Sequence, residues 1–524
     1  MTSSAAFIDR SLLRDRSALC ACLVTLSFLC PLVAGPSANL WQLLCAGMCA
    51  ALFMLVASSG GRSAIARATV WGLLVAGALN AVLGLLQYYD LAEFLFPWIT
   101  SPGPGRAWGT LRQRNQFATL INLALVASLW VYATSGSRRM RIGLAAAMVL
   151  LIAANAASGS RTGLLQLALI AGTVAWMAWQ ERRRGPPINR LPPASALLAM
   201  LPLYFALNWL LSHLAAAGTT GKALTSAGAL VQRLQPTALC NESRLTLWHN
   251  VLSLIAERPL TGWGWGELSY AHFMAVYPGP RFPVLLDNAH NLPLHLAVEL
   301  GIPAAVLICG GFLWLVISAR PWRERDPNRL MAWGLLAVIL VHSLLEYPLW
   351  YGPFQLVFGL CLGMLWPARR TEESSPRSIR KWLPDRRRFQ ALAGIALLSF
   401  VVYAAWDYTR ISQIYLSRDA RLPPWQDDTL AKVRSSWLFA RQVDFAELTL
   451  TPVTHENAAR MHALAQRTLH FSPEPRVIVK LIESAELSGH EDEARLIAER
   501  FREAYPSAYV HWLGHNPGDK APAP

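Results

Sequence analysis

Charge is what this chain has least of. Asp, Glu, Lys and Arg make up 15% of its 524 residues, against roughly 25% in a soluble globular domain. The acidic sign is the scarcer, 32 residues against 47 Lys and Arg, which leaves a net charge of +15. Cysteine is also thin where it would matter. Of eight Cys, seven lie in apolar runs, and only Cys240 falls in a long polar stretch, with no partner there. That argues against a disulfide framework and a metal cluster, and leaves the thiols as small buried hydrophobes.

Apolar residues are abundant, at 54%, and they come in blocks. Most blocks are about 17–25 residues, the length a helix needs to cross roughly 30 Å of hydrocarbon. The spans read as Ala18–Ala34, Leu40–Val56, Thr69–Tyr89, Gln116–Tyr132, Ile142–Ala156, Gly163–Trp179, Ala194–Leu211, Leu292–Ile317, Leu330–Trp350, Pro353–Trp366 and Phe389–Trp406. The expected fold class is an all-α polytopic membrane protein with about eleven transmembrane helices. The 21 Trp suit the interfacial belts of such a protein.

A basic chain invites a nucleic-acid reading. Here most Lys and Arg sit in alternate short loops, which is a topology signal instead, and no nucleic-acid partner is expected. One set of loops carries Arg62/Arg67, Arg138/Arg139/Arg141, Arg182/Arg183/Arg184/Arg190, Arg320/Arg323/Arg325/Arg329 and the run from Arg369 to Arg388. The intervening short loops carry almost none. Positive charge inside then puts the N-terminus in the cytoplasm and the tail after Trp406 outside. Arg10, Arg14 and Arg16 precede the first apolar run with no clear cleavage site, which reads as a retained signal-anchor. The domains expected are a cytoplasmic N-terminus (1–17), a transmembrane domain (18–406) containing a large outer loop (212–291), and an outer C-terminal helical domain (407–524). The loop Asp90–Asn115 shares that outer face, and no ATP-binding motif lies on the inner side.

The tail is polar, helix-prone and punctuated by Pro. Ala465, Arg467 and Pro473 recur as Ala498, Arg500 and Pro506, an offset of 33 residues. Tetratricopeptide units have periods near 34 residues, so a small helical hairpin domain is expected. It reads either as a docking surface for another protein or as a stabilising cap.

Several residues on the outer face carry chemistry. Arg161 is the one charge in the short loop Ser158–Thr162, against the orientation bias. Its planar fork suits phosphate oxygens, although an Arg there can also snorkel to headgroups. Gln166 follows about one turn on, where a polar group needs a partner. Arg106, Arg112 and Arg114 make the loop before the fourth span cationic. In the long loop, Arg244, Leu245, Trp248, Leu252 and Ile255 suit one face of an amphipathic helix that could lie at the interface. The run Gly262-Trp263-Gly264-Trp265-Gly266 allows tight turns; a plain turn is the simpler reading, an amide cradle for phosphate the other. His290, followed by Asn291, stands at the outer membrane surface, either as an acid–base group or as a polar anchor. Glu299, Glu346 and Tyr347 are polar positions in or beside spans, for function or for pairing with an arginine.

Taken in order, these motifs resemble the bacterial O-antigen ligase and polymerase superfamily, and within it the PglL-type protein O-oligosaccharyltransferases. The carriers are Arg106–Asn115, Ser160-Arg161-Thr162-Gly163, Arg244 to Gly266, His290-Asn291-Leu292 with Glu299-Leu300-Gly301, and His342 to Trp350. The tail resembles the periplasmic domain of the protein-glycosylating branch. The resemblance implies a GT-C-like enzyme of the bacterial inner membrane, needing no metal or cofactor. It would move a preassembled glycan from undecaprenyl diphosphate to Ser or Thr of an exported acceptor protein such as pilin, on the periplasmic side. Cations are needed where charge builds on the leaving diphosphate. Arg161 and Arg244 are the first candidates, backed by Arg106, Arg112 and Arg114. His290 would deprotonate or orient the acceptor hydroxyl. Gln166, Tyr347 and Asn291 are implicated by the motifs, and Glu346 is read as substrate-binding or as the partner of an arginine. An O-antigen ligase acting on lipid A-core, an O-antigen polymerase and a lipid-linked oligosaccharide flippase remain as alternatives.

Overall fold

The computed structural model describes residues 3–30, 40–57, 61–96, 99–183, 190–218, 244–366 and 386–515. Cys240, Arg184 and nearly all of the basic run from Arg369 lie outside them, as does the middle of the long outer loop. Among the described residues the structure is helical, with no strand. Two compact units form, 1–239 with 320–403 and 240–319 with 404–524, and the last of the three boundaries falls inside one continuous helix.

The first unit contains α1 (Ser3–Leu29), α2 (Leu40–Ala57), α3 (Arg62–Tyr88), α4 (Arg114–Thr134), α5 (Arg138–Ser158), α6 (Arg161–Arg183), α7 (Ala194–Leu198) and α8 (Met200–Gly218). The order resumes after the segment that belongs to the second unit. At its centre stands α4, which packs against α3, α5 and α6. Of its apolar window 72% is buried, because Ala, Ser, Thr and Asn let neighbouring backbones approach from every side.

Eight described helices are long and apolar enough to cross a membrane: Leu40–Ala57, Arg62–Tyr88, Arg114–Thr134, Arg138–Ser158, Arg161–Arg183, Ala194–Ala215, Ile302–Arg323 and Arg388–Tyr415. Two shorter apolar helices, Arg16–Leu29 and Gly352–Leu365, accompany them.

The second unit opens with α9 (Arg244–Glu257), α10 (Leu268–Met274) and α11 (Leu292–Leu300). Next come α12 (Ile302–Ala305), a π-helical turn Val306–Gly310 and α13 (Gly311–Ala319). Here the expected span Leu292–Ile317 is corrected. It breaks at Gly301, whose φ of 86° ends α11, and the apolar span starts at Ile302. Buried His295 and Glu299, paired at 3.5 Å, make α11 a helix of the second unit's own core. The segment from Ile302 to Arg323 has only 6% of its window buried, so it presents almost all of its surface outward.

In the first unit follow α14 (Pro327–Ser343) and α15 (Gly352–Leu365), and then α16 (Arg386–Ser412), which contains that last boundary. The expected ninth span, Leu330–Trp350, is also shortened: α14 stops at Ser343, and a separate 3-10 turn covers Pro348–Trp350. The tail forms α17 (Thr429–Val433), α18 (Ala440–Leu450), α19 (Ala458–Phe471), α20 (Pro475–Leu487), α21 (Glu491–Ala504) and α22 (Pro506–His515). Both ends of α19 recur in α21 at the offset of 33 residues seen in the sequence. The two hairpins share one core around Leu464, Leu481, Ile497 and Phe501.

Phe501 is fully buried and meets Tyr505, Tyr509 and Trp512 edge-on or tilted. Phe501→Ala is expected to destabilise the tail by about 3–5 kcal/mol. Protease cleavage within 458–515 of the membrane-embedded protein reads this out; wild-type resistance would contradict the packing described.

Candidate functional site

In the first unit the N-terminal halves of α4 and α6 and the C-terminal end of α14 are joined by a buried polar network. Thr119, Asn122 and Gln166 lie inside helices surrounded by hydrocarbon side chains. Each of their polar groups must therefore be satisfied within the protein. The Gln166 amide is fully used. Its oxygen accepts from Asn122 Nδ2 at 3.0 Å and from Thr119 Oγ1, and its nitrogen donates to the Val338 carbonyl at 2.9 Å. Thr119 Oγ1 also meets His342 Nδ1 at 2.8 Å. Asn122 donates to the Gly163 carbonyl and accepts from Asn155. Gly163 permits the approach of α6 to α4, since a Cβ there would stand 2.6 Å from that of Ala118.

Above this layer, the Glu346 carboxylate accepts hydrogen bonds from the Gln113 and Asn115 amides, one on each oxygen. His342 Nε2 lies 3.6 Å from it. Asn115 accepts in turn from Ser160 Oγ, which also receives the Gly163 N–H. These bonds fasten the N-termini of α4 and α6 side by side. Arg114 and Arg161, the first residues of those helices, are both exposed there. Two positive helix ends and two guanidinium groups thus share one region, an arrangement that favours anions.

The loop before α4 is fixed from below by α3. Gln87 Oε1 accepts from the Trp108 and Gly109 N–H groups, and Asn80 Oδ1 accepts from Thr110 N at 2.9 Å. Both amides are fully buried. Arg106 is exposed, and Arg112 is half-buried with a φ of 52°. That left-handed conformation is uncommon for Arg and persists only where the surroundings impose it. Tyr347 is half-buried and leads into the Pro348–Trp350 turn.

In the second unit α9 forms as expected, but its buried stripe is Leu247, Val251, Leu254 and Ile255. Leu245 and Leu252 face outward, so the expected face is rotated. Half-buried Trp248 donates to the Ala289 carbonyl at 3.1 Å. Arg244 is half-exposed at the start of the helix.

The glycine run resolves in favour of a turn. Trp263 N and Gly264 N donate to the Val298 and Glu299 carbonyls, both at 2.9 Å. Ideal Cβ atoms on Gly262 and Gly301 would come within 2.4 and 2.2 Å of opposing backbone, so only glycine fits this crossing. The Glu299 carboxylate takes the amides of Gly266 and Leu268, while burial holds its pKa above the usual range.

His290 has a φ of 53°. The Asn288 carbonyl lies 3.0 Å from its Nδ1. A carbonyl only accepts, so Nδ1 is the donor in this contact. Asn291 caps α11 by accepting from Leu294 N at 3.1 Å. Burial also raises the Asp287 pKa, partly opposed by His290.

The structure thus brings Gln166 and Glu346 into one network and sets Arg114 and Arg161 at its rim. His290 and Asn291 are adjacent in the second unit, where α9 begins with Arg244. The sequence reading quoted Asn115 only as the end of a motif, and missed Thr119 and Asn122, spaced i, i+3 on one face of α4, and likewise Asn80 and Gln87, spaced i, i+7 on α3. Polar residues at helical spacing within an apolar span were the available signal. His342 was in a quoted motif, yet its contact with Thr119 is a tertiary fact.

Comparisons with known proteins agree with the motifs. A profile of the protein glycosylation ligase family matches residues 107–131, and one described as O-antigen ligase matches 146–309. A third, described as virulence factor membrane-bound polymerase, C-terminal, matches 330–516. A general O-oligosaccharyltransferase of Acinetobacter baylyi is 23% identical over 342 residues, 62% of this chain and 55% of that protein. A ComP-specific O-oligosaccharyltransferase of the same organism is 22% identical over 360 residues, 68% of this chain and 60% of that protein. The match thus spans less than two thirds of either relative's length. The resemblance to the O-antigen ligase and protein-glycosylation ligase families is borne out.

Burial holds the His272 and His295 pKa values at about 4, below the ordinary 6.5; Arg281 adds to the first shift and His290 to the second. A depressed pKa contributes stability above pH 6.5 that is lost as the pH falls toward 4. Glu299 and Asp287 are shifted up and act in the opposite sense. His272→Gln leaves those carboxylates in place, so the variant is expected to lose less stability than wild type between pH 6.5 and 4. Thermal unfolding across that window checks this; parallel curves would contradict it.

Proposed function

We propose that this chain is an oligosaccharyltransferase. It moves a preassembled glycan from undecaprenyl diphosphate to a Ser or Thr hydroxyl of an exported protein, of which pilin is one candidate. The observation that carries this reading is the fastening of the α4 and α6 N-termini, with Arg114 and Arg161 at the joint, inside the stretches that match the two ligase profiles. The names of both relatives point the same way.

In the reaction the acceptor oxygen bonds to the anomeric carbon as the bond from that carbon to the phosphate oxygen breaks. The acceptor proton passes to the His290 ring. Negative charge on the departing diphosphate is met by Arg161 and Arg244, supported by Arg106, Arg112 and Arg114. Gln166 and Glu346 hold the helices that present these cations, and Asn291 holds the segment of His290. Tyr347 remains a substrate-facing candidate. On this reading the protein lies in the bacterial inner membrane, crosses it about eleven times, and carries a tetratricopeptide-like C-terminal domain in the periplasm. Transfer to lipid A-core is the second reading, favoured by the O-antigen ligase match over 146–309.

The test is transfer in vesicles containing the purified protein, a polyprenyl-diphosphate glycan, a pilin acceptor and lipid A-core. Arg161→Ala and His290→Ala are each expected to cut the rate by about a hundredfold or more while the protein still inserts. Normal transfer by both would remove the assignment, and glycan found on lipid A-core alone would favour the second reading.

A further inference from the structure

The loop helix α10 has seven residues and serves two cores at once. Leu268 and Ala271, with Ala275 just beyond, join Leu286 and Ala289 in the core beside His290. On its other side Phe273 is 2% exposed within the core of the tail hairpins, and Tyr270 and Met274 pack against the same core. The helix touches α19 and α21, the corresponding first helices of the two tail hairpins. Side-chain contacts reinforce the docking. The Tyr270 ring stacks on His470 at 3.8 Å, and His470 Nδ1 meets the Glu267 carboxylate at 2.7 Å. Arg281 donates to the His272 and Ala275 carbonyls, binding the end of α10 to the chain that returns toward His290. Ser269 Oγ donates to the Leu286 carbonyl at 3.2 Å, four residues before His290.

Stacked helical hairpins use such a face to hold a partner's helix or peptide. Here it is filled by a helix of the same chain. We propose that the tail is the receptor for the chain's own loop helix, and that this docking sets the position of the His290 segment. Phe273, Tyr270 and the Glu267–His470 pair are then positioning residues. Phe273 supplies the anchor by burial, while the partly solvated Glu267–His470 hydrogen bond fixes orientation more than it adds stability. The proposal rests on the glycan-transfer reading for its effect on rate, but not for the docking itself.

The experiment compares the full-length wild type with Phe273→Ala, Phe273→Leu and Glu267→Gln in lipid nanodiscs. It measures amide exchange at 286–291 and transfer per folded molecule. In Phe273→Ala, exchange at 286–291 is expected to rise. The rate at saturating donor should fall about tenfold or more, because small displacements of a reacting group are costly, with the donor KM unchanged. Phe273→Leu restores both, and Glu267→Gln moves both in the same direction by less. Unchanged exchange at 286–291 in Phe273→Ala, or a wild-type rate per folded molecule, overturns the proposal. So does loss of protection at 268–274 when acceptor protein is added, because the acceptor would then be the natural occupant. If wild-type protein transfers no glycan, the functional reading fails, while the exchange data still decide the docking.

Discussion

Within an apolar bundle a polar side chain has no water to turn to, so one left unanswered is costly. The Glu346 carboxylate makes this constraint productive. Held by Gln113 and Asn115, it pins the start of α4 against the end of α14. Through Asn115 and Ser160 the same bonds reach the start of α6. Remove that carboxylate and two amides lose their acceptor in a low-dielectric setting, where an unmet group costs more than the bond itself contributes. The cations at the two helix ends depend on this arrangement, since flexible guanidinium groups recognise an anion well only when their roots are fixed.

Much of this was legible in the residues. Blocks of apolar sequence marked most of the membrane helices, and the 33-residue offset of the expected helical hairpin recurs between two helices of the tail. The broken span was harder. Leu292–Ile317 is apolar enough to pass as one helix, and only Glu299, His295 and Gly301 hinted otherwise. Their meaning lies in tertiary contacts: Glu299 accepts the amides of a loop more than thirty residues upstream, and Gly301 crosses that loop's backbone. The rotation of α9 has the same origin. Leu245 and Leu252 are as apolar as Leu247 and Leu254, so periodicity alone offered two competing stripes and packing chose one.

The candidate residues divided along a similar line. Composition and sidedness found the arginines and His290, which are half-buried or exposed. The amides Asn80, Gln87 and Asn122 were passed over, although each breaks an apolar pattern, and Asn115 was quoted only as part of a motif. Gln166 and Asn291 were found, but as candidates for chemistry or binding; the first proves to be a buried joint between helices and the second a helix cap. Such residues matter to a reaction by keeping others in place.

Transfer of an intact glycan to protein is the claim on which the account stands. The most direct measurement is the intact mass of exported proteins from cells with and without this chain. The account predicts a Ser- or Thr-linked glycan of the full lipid-linked size, present only with the chain. Exported proteins of identical mass in both cells, with the lipid-linked donor available, would contradict it.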